Sequence, residues 1–376
     1  MSEGPLSAGQ PIEFAGAAGL KDAVPLATVR RALVVKLGHH GDVLLATPVL
    51  GALKAQAAGL EIDALVYDDT AVMLAGHPAL AELHAVGREW RALGAPARLA
   101  RETQLFRALR ARRYDLIVHL SDQNRGAWLA RTLGARWSVA ARRPGRFWTK
   151  SFSHRFAKLR NGRRHQVELN LDALRRIGVQ PSAERRVQFV PGDAAQGEVA
   201  RLMLEHGLSE RRFVHVHPAS RWRFKCWPAE SNAALIDKLA DTGERIVLTA
   251  APDAAERALL DAILERTRAR PLDLGGQLSI KTLGALTARA RLFIGVDSMP
   301  MHLAAAMGTP TVALFGPSGD LEWGPWGVEH RIVTSAHPCR PCGQDGCGGG
   351  KVSECLTTLP VGQVERAVRN LLGETR

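Results

Sequence analysis

Short apolar runs recur along the chain, and most are followed by a longer stretch in which apolar residues have helical spacing. In the first half, this pattern predicts strands at residues 32–37, 61–67, 115–120, 135–140 and 187–190, and helices at 48–58, 98–112, 124–134 and 165–177. In the second half, it predicts strands at 213–217, 245–250, 292–296 and 311–315, and helices at 229–241, 253–268, 279–289 and 361–372. Such alternation predicts parallel sheets covered by helices. The turn residues at 191–193 mark a boundary between two α/β domains.

The clearest unit is residues 292–315, which predict a strand, a short helix and a second strand. Asp297 and Ser298 offer capping oxygens, Pro300 suits a first helical turn, and Gly308 suits a helix end. A helix that begins at the carboxyl end of a parallel strand directs free N–H groups at an anion, so pyrophosphate is a natural ligand. The plainer alternative is an ordinary strand-helix-strand unit in which Asp297 only caps the helix.

Two further segments that connect a predicted strand to the next helix, called corners below, contain charged or hydroxyl side chains. The first predicted strand runs into GHHGD at residues 38–42, which places Asp42 at a strand-to-helix corner. Asp42 there suits either general-base work or a helix N-cap. The strand at 213–217 runs into PASRWRFKCWP, a loop that carries a hydroxyl and several cations, as a phosphate loop requires. Neither half shows GxGxxG after its first strand, which disfavours a dehydrogenase.

In order and spacing, these three motifs resemble the lipopolysaccharide heptosyltransferases of glycosyltransferase family 9, from about residue 31 to the C-terminus. The FKCW and VDS versions are most similar to the heptosyltransferase III group, which adds the branching heptose of the inner core. The resemblance implies a GT-B architecture, with two Rossmann-like domains facing a cleft. The Gly, Ala and Pro content of residues 1–28 predicts a flexible leader. With the boundary at 191–193, the resemblance makes residues 29–191 an acceptor-binding domain and 192–376 a nucleotide-sugar-binding domain, with the last helix a candidate to pack on the first domain.

The activity that the resemblance implies is inverting transfer of heptose from ADP-L-glycero-β-D-manno-heptose to the inner core of lipopolysaccharide. Asp42 matches the family's catalytic carboxylate. Asp297 would hold sugar hydroxyls, because a carboxylate placed on the pyrophosphate would repel it. The expected pyrophosphate-binding residues are Lys225, Ser220, Arg221, Ser298, Met299 and His302, and the expected nucleoside-binding residues are Leu278, Asp253 and Glu256. This scheme requires no metal or other cofactor.

Two other assignments stay open at this point. One is a heptosyltransferase I or II, or another family 9 transferase. The other is a non-catalytic basic binding protein on the same fold. Asp42, Lys225 and Asp297 together favour the enzyme, because a scaffold has no physical need for all three.

The net charge of the chain gives separate evidence about its partners. The chain has 376 residues, is 46% hydrophobic, and carries a formal net charge of +13. A basic surface suits nucleic acid, an anionic membrane or phosphorylated substrates. The sequence shows no run of 18 apolar residues and no signal-peptide pattern in residues 1–28, so we expect a cytoplasmic protein, peripherally associated with the inner face of the cytoplasmic membrane.

The cations concentrate between Asp122 and Glu168, a window without another acid. Aromatic residues at 147, 148, 152 and 156 are interleaved with them, a mixture that suits a lipid interface. We therefore expect docking of the lipid A-core oligosaccharide acceptor or of the membrane at Arg142, Arg143, Arg146, Lys150, Arg163 and Arg164. The alternative is a solvated basic face with packed aromatics. Nucleic-acid binding lacks a supporting motif.

Four cysteines lie in one glycine-rich segment: Cys339, Cys342, Cys347 and Cys355. In a reducing cytoplasm a disulfide framework is disfavoured. Free thiols and a structural Zn²⁺ both stay open, although the second pair is spaced more widely than CxxC.

Overall fold

The structure, a computed structural model, describes residues 20–158, 162–181 and 185–373. Its strands are β1 (Arg31–Val35), β2 (Glu61–Tyr67), β3 (Glu82–Val86), β4 (Leu116–His119), β5 (Trp137–Ala141), β6 (His154–Phe156), β7 (Phe213–His217), β8 (Arg245–Leu248), β9 (Leu272–Asp273), β10 (Leu292–Val296), β11 (Thr311–Leu314) and β12 (His330–Val333). Its helices are α1 (His40–Leu44), α2 (Thr47–Gln56), α3 (Ala95–Ala111), α4 (Asn124–Thr132), α5 (Arg146–Ser151), α6 (Gln166–Arg176), α7 (Asp193–Glu205), α8 (Ala229–Asp241), α9 (Ala254–Leu264), α10 (Ile280–Arg289), α11 (Met299–Ala306), α12 (Asp320–Trp323), α13 (Glu354–Thr357) and α14 (Val361–Leu372).

The strands form two six-stranded parallel sheets. The first has the order β3-β2-β1-β4-β5-β6 and the second β12-β11-β10-β7-β8-β9. Counted from its own first strand, β7, the second sheet repeats the order of the first. This is the Rossmann order, in which ligands bind beyond the carboxyl ends of the two central strands. The fold therefore predicts two facing sites, one after β1 and β4 and one after β7 and β10.

Both sheets are covered on both faces, so their central strands are buried apart from Arg31 at the start of β1. In the first sheet, Val34 and Ile62 pack in one core cluster with α2 and α6, whereas Leu33 and Ile117 pack in another with α3 and α4. The second sheet likewise divides its apolar side chains between separate clusters. Strands buried on both faces appear as continuous apolar runs, which is why the central strands were predictable.

The predicted strand at residues 187–190 is absent, and α7, which begins at Asp193, was not predicted. Residues 177–192 connect α6 to α7. Helix α6 packs on the first sheet, and α7 packs on α10 of the second domain. The last helix differs from expectation. It packs on α8, β11 and β12, with Val364 and Val368 in the second core, and so stays with the second domain.

The expected flexible leader is partly structured. Residues 1–19 lie outside the described part of the chain. Val24 is buried and its N–H donates to Ile177 O, while Asp22 is ion-paired with Arg176. Residues 20–28 therefore belong to the first domain. Within the described ranges, we find no helix with both the length and the apolar character needed to cross a membrane.

The two domains pack against each other through α1, the helix that follows β1, and α11, the helix that follows β10. Elsewhere between the domains, the His165 imidazole of the first domain stacks on Trp326 of the second, with ring centroids 4.5 Å apart. Its Nε2 lies 3.0 Å from Gly324 O. The Lys281 ammonium donates to Ala75 O at 2.8 Å. These contacts hold the two sites opposite each other.

Candidate active site

The first corner lies beyond β1 and is built around Asp42. Asp42 is the third residue of α1, and its Oδ2 accepts a hydrogen bond from the His39 N–H at 3.2 Å, as in a capping box. A Cβ on Gly38 would lie 2.7 Å from the Asp42 Cβ, so the corner requires a glycine there. The carboxylate thus caps its helix with one oxygen and presents the other, Oδ1, to Lys36.

Lys36 is buried, and its Nζ lies 3.5 Å from Asp42 Oδ1. Burial would raise the pKa of the Asp42 carboxyl, but the Lys36 charge and the His39 N–H outweigh it, and the pKa lies below its ordinary value. Asp42 is therefore ionised at neutral pH and able to accept a proton. Sequence reasoning missed Lys36, although a lysine inside the apolar run ALVVKL is a signal, because a buried cation needs a partner.

The second corner faces α1 from the other domain, beyond β7 and β10. Ser220 is buried, and its Oγ accepts from the Trp222 N–H at 3.2 Å. Arg221 is exposed, with its guanidinium 5.5 Å from the Trp222 ring centroid. The turn Arg223–Lys225 then brings the Lys225 ammonium back over the end of β10.

Lys225 and Asp297 form an ion pair, with Nζ to Oδ2 at 2.6 Å. The pair joins residues that sequence reasoning had given separate ligand partners. Because the Asp297 carboxylate binds Lys225, the simple helix-cap role considered for it is not the arrangement in the structure. The pair also neutralises a carboxylate that would otherwise repel a diphosphate.

The N-terminus of α11 faces the same space. Ser298 is its N-cap residue, but its side chain does not cap the helix and instead donates to Val296 O at 3.3 Å. Met299, the first helical residue, is half-buried. Pro300 has no N–H and the Met301 N–H donates to Ser298 O at 3.2 Å, which leaves the Met299 N–H of this first turn for a ligand.

His302 lies on the next turn, at the domain interface. A Cβ on Gly41 would lie 3.1 Å from His302 Cδ2, so the absence of a side chain lets the two domains approach. Burial lowers the pKa of His302 to about 4, so its ring is neutral at pH 7. Its buried Nδ1 has no hydrogen-bond partner among the described residues. A neutral imidazole with an unused nitrogen suits hydrogen bonding to a ligand oxygen.

The expected nucleoside-binding residues differ in exposure, from the exposed Asp253 to the buried Glu256. Leu278 is half-buried between clusters of both domains. Asp253 caps α9 by accepting from the Ala255 and Glu256 N–H groups at 2.9 and 3.2 Å. Glu256 is buried, accepts from the Ala251 N–H at 2.9 Å, and has a pKa raised by burial. Both carboxylates therefore have structural roles in this arrangement.

A pocket of about 550 Å³ in the first domain lies next to the Asp42 corner. It begins at Leu37, and its walls include Arg88, Arg91, Arg98 and Arg143. The Arg88 guanidinium donates to Gly38 O at 2.6 Å and so connects the pocket to the corner. Of these arginines, sequence reasoning had identified only Arg143, because the others are spread along loops and α3 and form no local run.

The six basic docking residues lie in two places. Arg142, Arg143, Arg146 and Lys150 are exposed around the start of α5, and Arg163 is exposed before α6. Arg164, in contrast, forms a bidentate ion pair with Asp172, at 2.7 and 2.8 Å.

The expectation that the interleaved aromatics face a lipid interface is wrong for most of them. Trp148, Phe152 and Phe156 are buried in the two core clusters of the first domain, where aromatic area is removed from water. Phe147 is the exposed one.

The four clustered cysteines are free thiols in the structure, with Cys355 buried and the others at least partly exposed. Within the described residues, no three of their sulfurs lie within 4.8 Å of one another, a distance that the Asp63, Glu82 and His84 ligand atoms do satisfy. That acidic group already binds the Arg112 guanidinium, with Nε to Asp63 Oδ2 at 2.7 Å, so it is an ion-pair network.

Two Rossmann-like domains, with a carboxylate corner facing a cationic loop and an open helix N-terminus, define a glycosyltransferase of the GT-B class. Comparison with known proteins agrees. The chain belongs to glycosyltransferase family 9 (heptosyltransferase), whose profile matches residues 102–352.

Individual relatives support the assignment. The chain is 37% identical over 291 residues to lipopolysaccharide heptosyltransferase 3 of Escherichia coli, which covers 76% of this chain and 84% of the relative. Among solved structures, a family 9 glycosyl transferase from Veillonella parvula has a TM-score of 0.79 at 23% identity, over 92% of this chain and 98% of that one. E. coli heptosyltransferase WaaC with ADP-2-deoxy-2-fluoro heptose has a TM-score of 0.68 at 21% identity, over 90% and 99%. The last two show the shared fold.

Proposed function

We propose that this enzyme transfers heptose, with inversion, from ADP-L-glycero-β-D-manno-heptose to the inner core of lipopolysaccharide, as a heptosyltransferase III. The single observation that carries the proposal is the opposition of two corners, the ionised Asp42 on one domain and the Lys225–Asp297 pair with α11 on the other. The similarity to heptosyltransferase 3 of E. coli supports the subtype.

In the proposed reaction, an acceptor hydroxyl attacks the anomeric carbon from the face opposite ADP. The new carbon–oxygen bond forms as the bond to the β-phosphate oxygen breaks, ADP leaves, and the hydroxyl proton passes to the Asp42 carboxylate. Lys225, the Met299 N–H at the start of α11 and His302 would offset the charge that develops on the diphosphate. Protein groups perform every role in this scheme. We therefore expect turnover to be unchanged when a chelator removes metal ions.

The donor and acceptor sides differ in chemistry. The diphosphate would lie on Lys225, Ser298, Met299 and His302, with Ser220 and Arg221 nearby, and Asp297 would contact the sugar. The acceptor would occupy the arginine-walled pocket beside Asp42, whose charge suits a phosphate-bearing core oligosaccharide. We further propose that the enzyme works in the cytoplasm, at the inner face of the cytoplasmic membrane.

The test is transfer of heptose by the purified protein from ADP-heptose to core oligosaccharides truncated after the first or after the second heptose, read by mass spectrometry. We expect product on the acceptor that carries the second heptose. Product only on the acceptor truncated after the first heptose would assign the enzyme to subtype II, and product only on a core that carries no heptose, added as a third acceptor, would assign it to subtype I. Absence of both product and ADP-heptose binding would favour a non-catalytic binding protein.

Asp42→Asn tests the base within the same assay. Asparagine keeps an oxygen for the His39 N–H, so α1 stays capped while the proton acceptor is lost. We expect turnover to fall by roughly 10² to 10⁴ with ADP affinity nearly unchanged. Asp68→Asn, an exposed change on the same domain, is the control and should keep activity. Normal turnover in Asp42→Asn would remove Asp42 from the role of base.

A further inference from the structure

An apolar groove runs between α3 and α4 on the outer side of the first domain. Its volume is about 510 Å³. Leu105, Leu109 and Leu129 form its buried floor, and Phe106 and Trp128 form its walls. At one end, Arg125 closes it through a bidentate ion pair with Glu102, with both N to O distances 2.6 Å.

The groove continues into exposed apolar side chains. The Trp128 side chain is 59% exposed and packs at 4.8 Å, between ring centroids, on Phe147, which is 36% exposed. Leu99 is 67% exposed and lies seven residues before Phe106, on the same side of α3. Exposed large apolar side chains grouped beside an apolar groove on a folded domain favour contact with a partner or a membrane.

The surroundings of the groove are strongly cationic. Helices α3, α4 and α5 together carry eight basic side chains and one acid, and that acid, Glu102, is already paired with Arg125. Arg131 lies 5.4 Å from the Phe147 ring centroid and Arg110 lies 5.9 Å from that of Phe106. Arginines beside aromatic rings match the interface of an anionic bilayer, where rings lie at headgroup depth and guanidinium groups contact phosphates. A second copy of this face would bring like charges together.

The groove also leads toward the site. Glu102 and Arg125 line both the groove and the arginine-walled pocket, which reaches Leu37 before the Asp42 corner. A bilayer held at the groove would therefore place a lipid-anchored headgroup in that pocket and its sugar hydroxyls toward Asp42. The basic residues of α5 belong to the same face, whereas Arg164 is engaged with Asp172.

We propose that the α3–α4 groove, with the Trp128–Phe147 pair, is where the protein docks on the surface of an anionic lipid bilayer. Its arginines contact lipid phosphates and its apolar side chains enter the interface. The inference rests on the proposed function for its purpose, the delivery of a lipid-anchored acceptor, but vesicle binding is measured without any transfer reaction.

The experiment is co-sedimentation of the full chain with vesicles of phosphatidylcholine alone or of equal parts phosphatidylcholine and phosphatidylglycerol. We expect binding to the anionic vesicles, weakened by salt, and a roughly tenfold or greater loss in Trp128→Gln. Leu204→Gln, which removes an 85% exposed apolar side chain on α7 of the other domain, is the matched control and should bind as the wild type does. A melting temperature close to that of the wild type checks that both variants are folded.

A second pair of measurements separates charge from insertion and from self-association. Arg110→Gln together with Arg131→Gln should weaken vesicle binding and reduce its salt dependence, while Trp128→Gln should leave the salt dependence in place. Equal vesicle binding by wild type and Trp128→Gln, or no binding by the wild type, would overturn the proposal. So would a concentration-dependent dimer that Trp128→Gln abolishes, because the face would then be an interface between copies.

If vesicles bind as expected but no acceptor receives heptose, the docking site stands and the proposed function fails. If soluble core oligosaccharide is glycosylated while vesicles do not bind, the function stands and the docking site fails.

Discussion

Lys36 sets the protonation state of the catalytic candidate. Its ammonium lies 3.5 Å from Asp42 and holds the pKa of that carboxyl down against the effect of burial. In Lys36→Met the burial remains and the charge is lost, so the pKa of Asp42 rises. Since a general base works when deprotonated, the acidic limb of kcat/KM should move to higher pH.

The measurement is a pH profile of kcat/KM for wild type, Lys36→Met and Lys54→Met. Lys54 lies on α2, donates to Leu60 O at 2.9 Å, and serves as a lysine control in the same domain. We expect its profile to match the wild type. An acidic limb that stays in place in Lys36→Met would mean that Asp42 is not the group that titrates in catalysis.

The Lys225–Asp297 pair predicts opposite responses to the loss of its two members. Without Lys225, ADP and ADP-heptose should both bind more weakly, by about 1.5 to 3 kcal/mol for a charged contact. In Asp297→Asn the Lys225 charge is released for the diphosphate, so ADP should bind as well as before or more tightly, while turnover of ADP-heptose should fall.

Calorimetry with both ligands separates these roles. Lys238→Ala removes the same charge from α8, where Lys238 pairs with Glu365 at 3.1 Å, and should leave both affinities unchanged. Equal loss of ADP and ADP-heptose affinity in Asp297→Asn would show that the carboxylate only supports the loop.

At the residue scale, sequence alone placed Asp42, Lys225 and Asp297 in the segments that follow buried strands, and it missed how they pair. Their catalytic and ligand-binding roles stay predictions. The contact between Lys225 and Asp297 joins positions 72 residues apart and depends on the adjacency of β7 and β10, which local pattern does not encode. For the same reason the arginine-walled pocket, assembled from several elements, was not predicted.

At the scale of elements, the strands that sequence reasoning missed are the outer ones of each sheet, β3, β6, β9 and β12. β3 and β12 are partly exposed, as ELHAV and HRIV show, and β6 and β9 are only three and two residues long. The central strands are buried on both faces and so present apolar runs, whereas an edge strand has water on one side and fewer constraints on composition. The predicted strand at residues 187–190 failed for the opposite reason, because its apolar side chains pack in a core without joining a sheet.

Strand β7, FVHVH, contains two histidines that belong to a buried chain of hydrogen bonds. The Thr287 hydroxyl donates to Leu283 O, so His215 Nδ1–H must donate to the Thr287 Oγ. His215 Nε2 then accepts from the Thr249 hydroxyl, whose oxygen accepts from His217 Nδ1–H. Both rings are neutral in this arrangement, and a proton added to His215 would remove the acceptor that Thr249 requires.

For the whole molecule, six histidines distributed over both domains are buried in the neutral form. Burial lowers the pKa to about 3 for His215 and to about 4 for the other five, which are His77, His119, His165, His217 and His302. In the unfolded chain these rings bind protons near pH 6.5. Between about pH 6.5 and pH 4 the unfolded state therefore holds more protons, so the stability contributed by neutral burial is complete above this window and is lost as pH falls through it.

Each such ring changes the free energy of unfolding by up to about 1.4 kcal/mol per pH unit inside that window, which is large against the total stability of an ordinary domain. We expect a melting temperature that is nearly constant above pH 7 and falls steeply below pH 6.5, measured at constant ionic strength. His330→Gln, at a half-buried ring with a hydrogen bond to its own loop, should leave the slope unchanged. A melting temperature that held level down to pH 5 would mean that the folded protein accepts these protons, and that the histidine chain and the His302 interface rearrange to admit charge.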